Sequence, residues 1–349
     1  MHVRNRLRNR LRNHFCFTNR INHVLSLPHH EINYDQRKPQ VLAMKPVISV
    51  VGSANMDLVF RTPRMPLIGE TIAGGEFHQI SGGKGANQAV AAARLGAAVK
   101  FIGRVGDDAF GSRLRDCLVA DAIDVSELAV TPQTATGVAG IIVDASGRNC
   151  IVLAPGANER LSIPDIAHAA QAIRNSKLLV CQLETPLETV TSAINLAHEC
   201  KVGVILNPAP ARELSDILLQ QVSYLIVNEV EAGQLSGVDV TDSASAQLAA
   251  SKLMARGVGA VLLTMGEHGV FIADSGTAKM IPGISVDVVD TTAAGDTFVG
   301  AFAVGIANGL SFEVASIEAQ YAAALTVTRL GAQTSIPHRQ EVLDFMARV

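Results

Sequence analysis

The chain has 349 residues, 48% hydrophobic and 17% charged, with a formal net charge of −3. That length holds one large α/β domain or two ordinary ones, with enough apolar material for a sizeable core. Beyond residue 43 the balance is acidic, 21 Lys/Arg against 30 Asp/Glu, and the chain has no Trp and three Tyr, which argues against a nucleic-acid surface; no apolar run is long and uninterrupted enough for a convincing membrane span.

Residues 1–43 differ from the rest. They open MHVRNRLRNRLRNHF and carry eight Lys/Arg against two Asp/Glu. An Arg-rich, acid-poor start fits a transit peptide. It also fits a polyanion-binding arm, though without aromatic interleaving, or an extension upstream of a true start at Met44. On composition the segment is expected to be a disordered extension without catalytic chemistry, followed by one α/β domain over 44–349.

From Pro46 apolar runs rich in β-branched residues alternate with Ala/Leu-rich stretches. Strands are predicted at Val47–Val51, Val99–Gly103, Leu178–Leu183, Val202–Leu206, Tyr224–Val227, Ala260–Thr264 and Val270–Ala273. Helices are predicted at Ala86–Leu95, Phe110–Ala120, Leu187–His198, Ala244–Arg256, Thr297–Ala307 and Phe312–Arg329. Near-continuous apolar strands mean burial on both faces. The expected fold is therefore α/β, with a central mostly parallel sheet and helices on both faces, Rossmann-like in its layering. Two segments break the rhythm, about 57–80 and 137–154, the second with a hairpin turn at Ala145–Arg148. Together they are expected to form a small antiparallel β lid over the crevice. The five scattered cysteines contain no CxxC pair and read as buried free thiols in a reducing, cytoplasmic compartment.

Polar residues follow the strand runs: Asn55 and Asp57, Glu184, Asn207, Asn228, and Thr264 with Gly266. Each alone reads as a turn or cap. At the carboxyl ends of parallel strands they converge on the ligand crevice. Ser81–Ala89 is a glycine-rich loop running into a helix, neither a Walker A loop nor a dinucleotide fingerprint. Gly82 and Gly83 let the backbone close on a polyhydroxylated ligand, while Lys84 and Asn87 supply donors. Asn228 and Glu231, three apart at a helix start, suit a hydrated Mg²⁺ and polyphosphate oxygens. Thr264, Met265, Gly266, Glu267, His268 and Gly269 read as a phosphate-contacting turn. Ala293, Ala294 and Gly295 precede Asp296 at the start of an apolar helix. Unpaired N–H groups there favour an anion. Asp296 beside them is either a proton acceptor for a hydroxyl or a plain N-cap.

With GGKGANQAVAAARLGA and DTTAAGDTFVGAF in this order, the chain from about Lys45 onward resembles the PfkB-type carbohydrate kinases. Supporting stretches are GSANMD, GDDAFG, PGAN, QLETP, NPAPAREL, NEVEA, TMGEHG and TRLGAQTSIP. The family often has Gly where this chain has Ala293; its ribose-phosphorylating members commonly have Ala. The resemblance implies an ATP-dependent kinase forming D-ribose 5-phosphate. It makes Asp296 the general base and the 293–295 backbone an anion hole. Asn55, Asp57, Gly83, Lys84, Asn87 and Glu184 become the sugar ligands, Asn228 and Glu231 the organisers of Mg²⁺ and phosphates. Thr264–Gly269 and Gln320 would line the ATP site. It further implies a K⁺ site from Asp290 and Ser335 with carbonyls of Thr292, Thr326, Arg329 and Gly331, and a homodimer paired through the lid; the alternation of apolar and polar residues in the lid segments points the same way, with Ile141, Val143 and Val152 as contact candidates. The alternatives are a kinase for another small sugar or a nucleoside, and a non-catalytic sugar sensor. Low aromatic content, 4%, speaks against a nucleoside-base pocket.

Overall fold

A computed structural model describes residues 44–73 and 75–349; the expectations for residues 1–43 lie outside the described residues. The chain begins with strand β1 (Val47–Val51), then β2 (Asn55–Thr62), β3 (Glu76–Gly82), helix α1 (Lys84–Arg94), β4 (Ala98–Gly106), α2 (Ala109–Ala120) and β5 (Leu128–Thr131). The middle contains β6 (Gly137–Asp144), β7 (Asn149–Ala154), α3 (Ile163–His168), α4 (Ala170–Arg174), β8 (Leu178–Cys181), α5 (Leu187–Glu199), β9 (Gly203–Leu206) and α6 (Asp216–Leu219). The last part has β10 (Tyr224–Asn228), α7 (Glu229–Ser236), α8 (Ser243–Ala255), β11 (Ala260–Thr264), β12 (Gly269–Ala273), β13 (Ala278–Pro282), α9 (Ala294–Ala307), α10 (Phe312–Val327) and α11 (Arg339–Met346).

The main sheet has nine strands in the order β13-β12-β11-β10-β9-β8-β1-β4-β5. Its pairs are parallel from β11 through β5 and antiparallel at β11–β12 and β12–β13. Strand periodicity divides its side chains between two cores. Ile48, Val50, Phe101 and Val180 face a layer built by α1, α9 and α10; Val51, Ile102, Leu179 and Cys181 face one built by α3 to α6 and α8. That two-sided burial is why the strands read as continuous apolar runs. The edge strand β13 was invisible in the sequence: AKMIP is mostly exposed and lacks a run, because it needs only β12 as a partner.

The segments that broke the rhythm form a separate four-stranded sheet, β3-β2-β6-β7. Its outer pairs are antiparallel, but β2 and β6 run parallel, with Asp57 opposite Ala139. The expected antiparallel lid is thus two antiparallel ribbons joined by a parallel seam. The lid also starts at Asn55, so two crevice residues belong to it. The β6–β7 turn falls where spacing placed it; Asp144 accepts from Ser146 N–H and Oγ and from Arg148 N–H. Among the described residues no helix is long and apolar enough to cross a membrane. Of the described cysteines, all free, only Cys181 is buried as expected; Cys150 on the lid is exposed.

Candidate active site

Strand order reverses around β1, with β4 on one side and β8 on the other. This is where an open α/β sheet leaves a crevice. The turn after β1 brings Ser53 against Glu184, which follows β8: Ser53 Oγ donates to Glu184 Oε2 at 2.5 Å and Lys84 N–H donates to the same oxygen at 3.1 Å. Asn55 is set by Asn158, whose Nδ2 donates to Asn55 Oδ1 at 2.7 Å while its Oδ1 accepts from Ala54 N–H at 2.9 Å. Gly82 and Gly83 are needed for their lack of a side chain. A Cβ on Gly82 would lie 2.3 Å from Asp57 Oδ2, and one on Gly83, at φ +91°, would lie 2.7 Å from Asn55 N.

Asp57 is buried, and no hydrogen bond reaches its carboxylate from the described residues. Burial, then the charges of Glu184 and Asp296, push its pKa up to about 7. Lys84 lies among the same charges. Burial alone would lower its pKa, but Asp296, Glu184 and Glu231 outweigh that and raise it, so the ammonium stays charged.

Asp296 is the third residue of α9 and is 8% exposed. It is not the helix cap. That position is Ala293, left-handed at φ 62° and ψ 6°, with no side-chain cap bond. Instead the carboxylate is held from α1: Asn87 Nδ2 donates to Oδ2 at 2.9 Å and Gln88 Nε2 to Oδ1 at 3.0 Å. A left-handed alanine carries about 1 kcal/mol of strain or more. Here it aims the first N–H groups of α9 at the crevice. Ala294 N–H turns back on Thr291 O at 3.3 Å. The N–H groups of Gly295 and Asp296 have no backbone partner among the described residues, and beyond the Gly295 Cα nothing lies within 4 Å of where a Cβ would stand.

Two cavities meet at this helix start. One, about 220 Å³, is lined by Lys84, Asn207, Asn228, Glu231 and Asp296 among others; the second, about 640 Å³, runs from Gly266–Gly269 to Gln320. Asn228, Thr264, Thr291 and Gly295 line both. Asn228 and Glu231 form a reciprocal cap on α7: Asn228 Oδ1 accepts from Glu231 N–H at 2.8 Å, and Glu231 Oε2 accepts from Asn228 N–H at 3.0 Å. Burial raises the Glu231 pKa, partly opposed by the Asn228 N–H and by Lys84.

Met265 enters this turn through its backbone alone. Its side chain is buried in the core beneath the sheet and lines neither cavity; only its backbone participates, N–H donating to Gly269 O at 2.8 Å. Asp290 ties its own loop to the segment after α10, accepting from Thr292 N–H and Oγ1 at 2.9 and 2.7 Å and from Gly331 N–H at 2.9 Å. Thr326 and Ser335 are buried, their hydroxyls donating to Ala322 O and Ala332 O, while the Arg329 side chain leaves for Glu341.

Sequence reasoning missed Ser53 and Gln88, for which only their neighbours gave a signal. It also missed the apolar wall of the larger cavity: Ile284, Val286, Val288 and Phe298. The alternation of Ile284, Val286 and Val288 was the available signal, but the segment forms no strand.

The fold and cleft define a class: an α/β phosphoryl-transfer scaffold, with a carboxylate at a helix start between two cavities and a lid sheet at its edge. The chain belongs to the pfkB family of carbohydrate kinases, whose pattern matches residues 45–339. It is 44% identical over 303 residues to a ribokinase of Haemophilus influenzae, covering 87% of this chain and 99% of that one. It is also 37% identical to a deoxyribokinase of Salmonella typhi, covering 86% and 98%. The fold is similar to that of Arabidopsis thaliana ribokinase complexed with ribose and ATP, with a TM-score of 0.82, 31% identity and 87% and 99% of the chains covered.

Proposed function

We propose that this chain transfers the γ-phosphoryl group of ATP to the 5-hydroxyl of D-ribose, giving D-ribose 5-phosphate and ADP. The observation that carries the reading is the Asp296 carboxylate, held by two amide donors where the two cavities meet. Asp296 takes the hydroxyl proton as the sugar oxygen attacks phosphorus, and the Gly295 and Asp296 N–H groups receive the charge on the transferring group. Asn55, Asp57, Lys84, Asn87 and Glu184 hold the sugar hydroxyls against the Gly82–Gly83 backbone. Lys84 also lines the smaller cavity, where its charge faces the phosphates. Thr264 and the Gly266–Gly269 turn take the phosphate chain, and Gln320 with the Ile284–Val288 wall takes the adenine.

The donor set fits a hydrated Mg²⁺: Glu231 is a half-buried carboxylate with one oxygen spent on its cap, beside Asn228 and facing the phosphate cavity. When bound, the ion neutralises phosphate charge. For K⁺, Asp290 accepts three hydrogen bonds, fewer than the roughly four lone-pair sites of a carboxylate. That leaves an oxygen site for a cation to brace the loop carrying the hole.

The ribokinase relatives support ribose, while the Salmonella typhi deoxyribokinase makes 2-deoxyribose the competing acceptor. ADP release measured with D-ribose, 2-deoxy-D-ribose, other small sugars and a nucleoside decides. The highest kcat/KM is expected with D-ribose. A higher value with another acceptor reassigns the substrate, and sugar binding without turnover replaces the kinase by a sensor.

The lid supports a homodimer. All six residues of β7 are exposed, including Ile151, Val152 and Leu153, and the Phe60 and Phe77 rings pack tilted with centroids 4.9 Å apart on the same small sheet. Two ribbons cannot cover their own outer face and edges, and a two-fold mate can. Ile141 and Val143 are half-buried, so Val152 is the better probe. Light scattering is expected to give a dimer mass for the wild type and a monomer mass for Val152→Asp; a fully active monomeric wild type refutes the pairing. Free thiols throughout the described chain fit a reducing cytoplasm.

A further inference from the structure

We infer that Gln88 is a positioning residue for the phosphoryl-transfer base, its orientation set by a buried amide relay from Gln182 and Asn207. The inference rests on the reading of Asp296 as that base.

Gln88 and Gln182 are 1% and 0% exposed, and neither lines the cavities that would hold sugar or nucleotide. Buried amides are costly unless bonded; Gln88 is bonded at both ends, and Gln182 through its Nε2, its Oε1 having no partner among the described residues. Gln182 Nε2 donates to Gln88 Oε1 at 2.6 Å. This occupies the acceptor end of Gln88 and leaves its NH₂ on the opposite side. There it donates to Asp296 Oδ1 at 3.0 Å and to Asn207 Oδ1 at 3.1 Å. Asn207 is oriented in turn, its Nδ2 donating to Ile226 O at 2.9 Å, so that its oxygen faces Gln88. The relay therefore runs from the ends of β8, β9 and β10 through α1 to α9, and each amide can point only one way.

Backbone packing keeps these groups in reach. A Cβ on Gly52 would lie 2.1 Å from Gln182 Oε1, so the residue after β1 makes room for that amide. A Cβ on Gly300 would lie 2.5 Å from the Ala91 Cβ and 2.8 Å from Gln88 O, so α1 and α9 touch backbone to backbone one turn beyond Asp296. Asn87 holds the other carboxylate oxygen. With both oxygens fixed, the plane of the carboxylate is fixed, and its remaining lone pairs are aimed before substrate arrives. Asn87 adjoins the sugar, whereas Gln88 stands behind the carboxylate and acts only through it.

The test compares wild type, Gln88→Met, Gln182→Met, the double variant and Asp296→Asn by steady-state kinetics with D-ribose and ATP, ribose calorimetry and thermal melting. Gln88→Met is expected to lose about 10–100-fold in kcat, with ribose affinity and both KM values nearly unchanged. Gln182→Met is expected to lose several-fold, and the double variant to be no slower than Gln88→Met, because the two act as a unit. A folded Gln88→Met with wild-type kcat overturns the inference, as do single losses that multiply in the double variant. Should Gln88→Met fail to fold, Gln182→Met decides, and wild-type kcat there overturns it. Asp296→Asn separates the two levels: full turnover in that variant removes the base itself, whereas its loss beside a fully active Gln88→Met removes the relay alone.

Discussion

Replacing Asp57 by Asn should make the unliganded protein more stable and its sugar binding worse, with a pH dependence that identifies the cause. Asp57 is 9% exposed, its carboxylate has no hydrogen bond from the described residues, and burial together with Glu184 and Asp296 raises its pKa from 3.8 to about 7. The folded state therefore holds a proton that the unfolded chain releases, over the window between those two values. There the folded form binds more protons, so stability falls as pH rises and levels off above the folded pKa. At about 1.4 kcal/mol per pH unit, flattening as the folded group itself titrates, the wild type loses about 2 kcal/mol from this group between about pH 5 and pH 7 and nearly 3 kcal/mol by about pH 8. Asp57→Asn keeps the shape and removes the titration. Urea unfolding of both proteins at about pH 5 and pH 8 should show the variant gaining on the wild type by about 3 kcal/mol at the higher pH. The same substitution removes a charged acceptor for sugar hydroxyls, which predicts ribose affinity down by about 10–100-fold. A stability difference that does not change with pH refutes the account of a carboxylate held in a strained electrostatic site. Unchanged ribose affinity refutes its place in the sugar pocket.

Asp296→Asn should cut kcat by about 10²–10⁴-fold, the usual contribution of a placed base, while ribose and ATP still bind by calorimetry; near wild-type kcat removes the base assignment. Ala293→Gly should retain kcat and melting temperature, since glycine adopts φ 62° without the Cβ penalty. Ala293→Val should lose about 2 kcal/mol or more in urea unfolding together with turnover, because a β-branched residue resists that conformation; a fully active, fully stable valine variant contradicts the strained hole. Turnover at fixed ionic strength should be faster in K⁺ than in Na⁺, and Asp290→Ala should abolish the difference. Equal rates in the two salts remove the cation site.

Much of this protein was legible in one dimension. Parallel strands buried on both faces leave continuous apolar runs, so Val47–Val51, Ala260–Thr264 and their neighbours could be read directly. Glycines that must admit a neighbour's atoms at under 3 Å, such as Gly82 and Gly83, leave a local mark, as does a helix starting at Ala294 behind small residues. Which partner each polar group meets was not legible. Asp296 read as a cap or as a base; the cap position went to Ala293, and the carboxylate is held instead by Asn87 and Gln88, about two hundred residues away in sequence, reaching it from α1. Met265 stood in a promising turn but faces the core, because only tertiary packing decides which side of that turn is inward. The lid's two ribbons were visible as period-two patterns, yet their parallel seam at β2–β6 was not, since alternation fixes which face a residue takes and carries no information about strand direction. The sequence by itself thus determined the layers, the strand ends and the chemical inventory, all set by local conformation and periodic burial. The contacts that turn that inventory into a site join residues distant along the chain, and only the tertiary structure decided them.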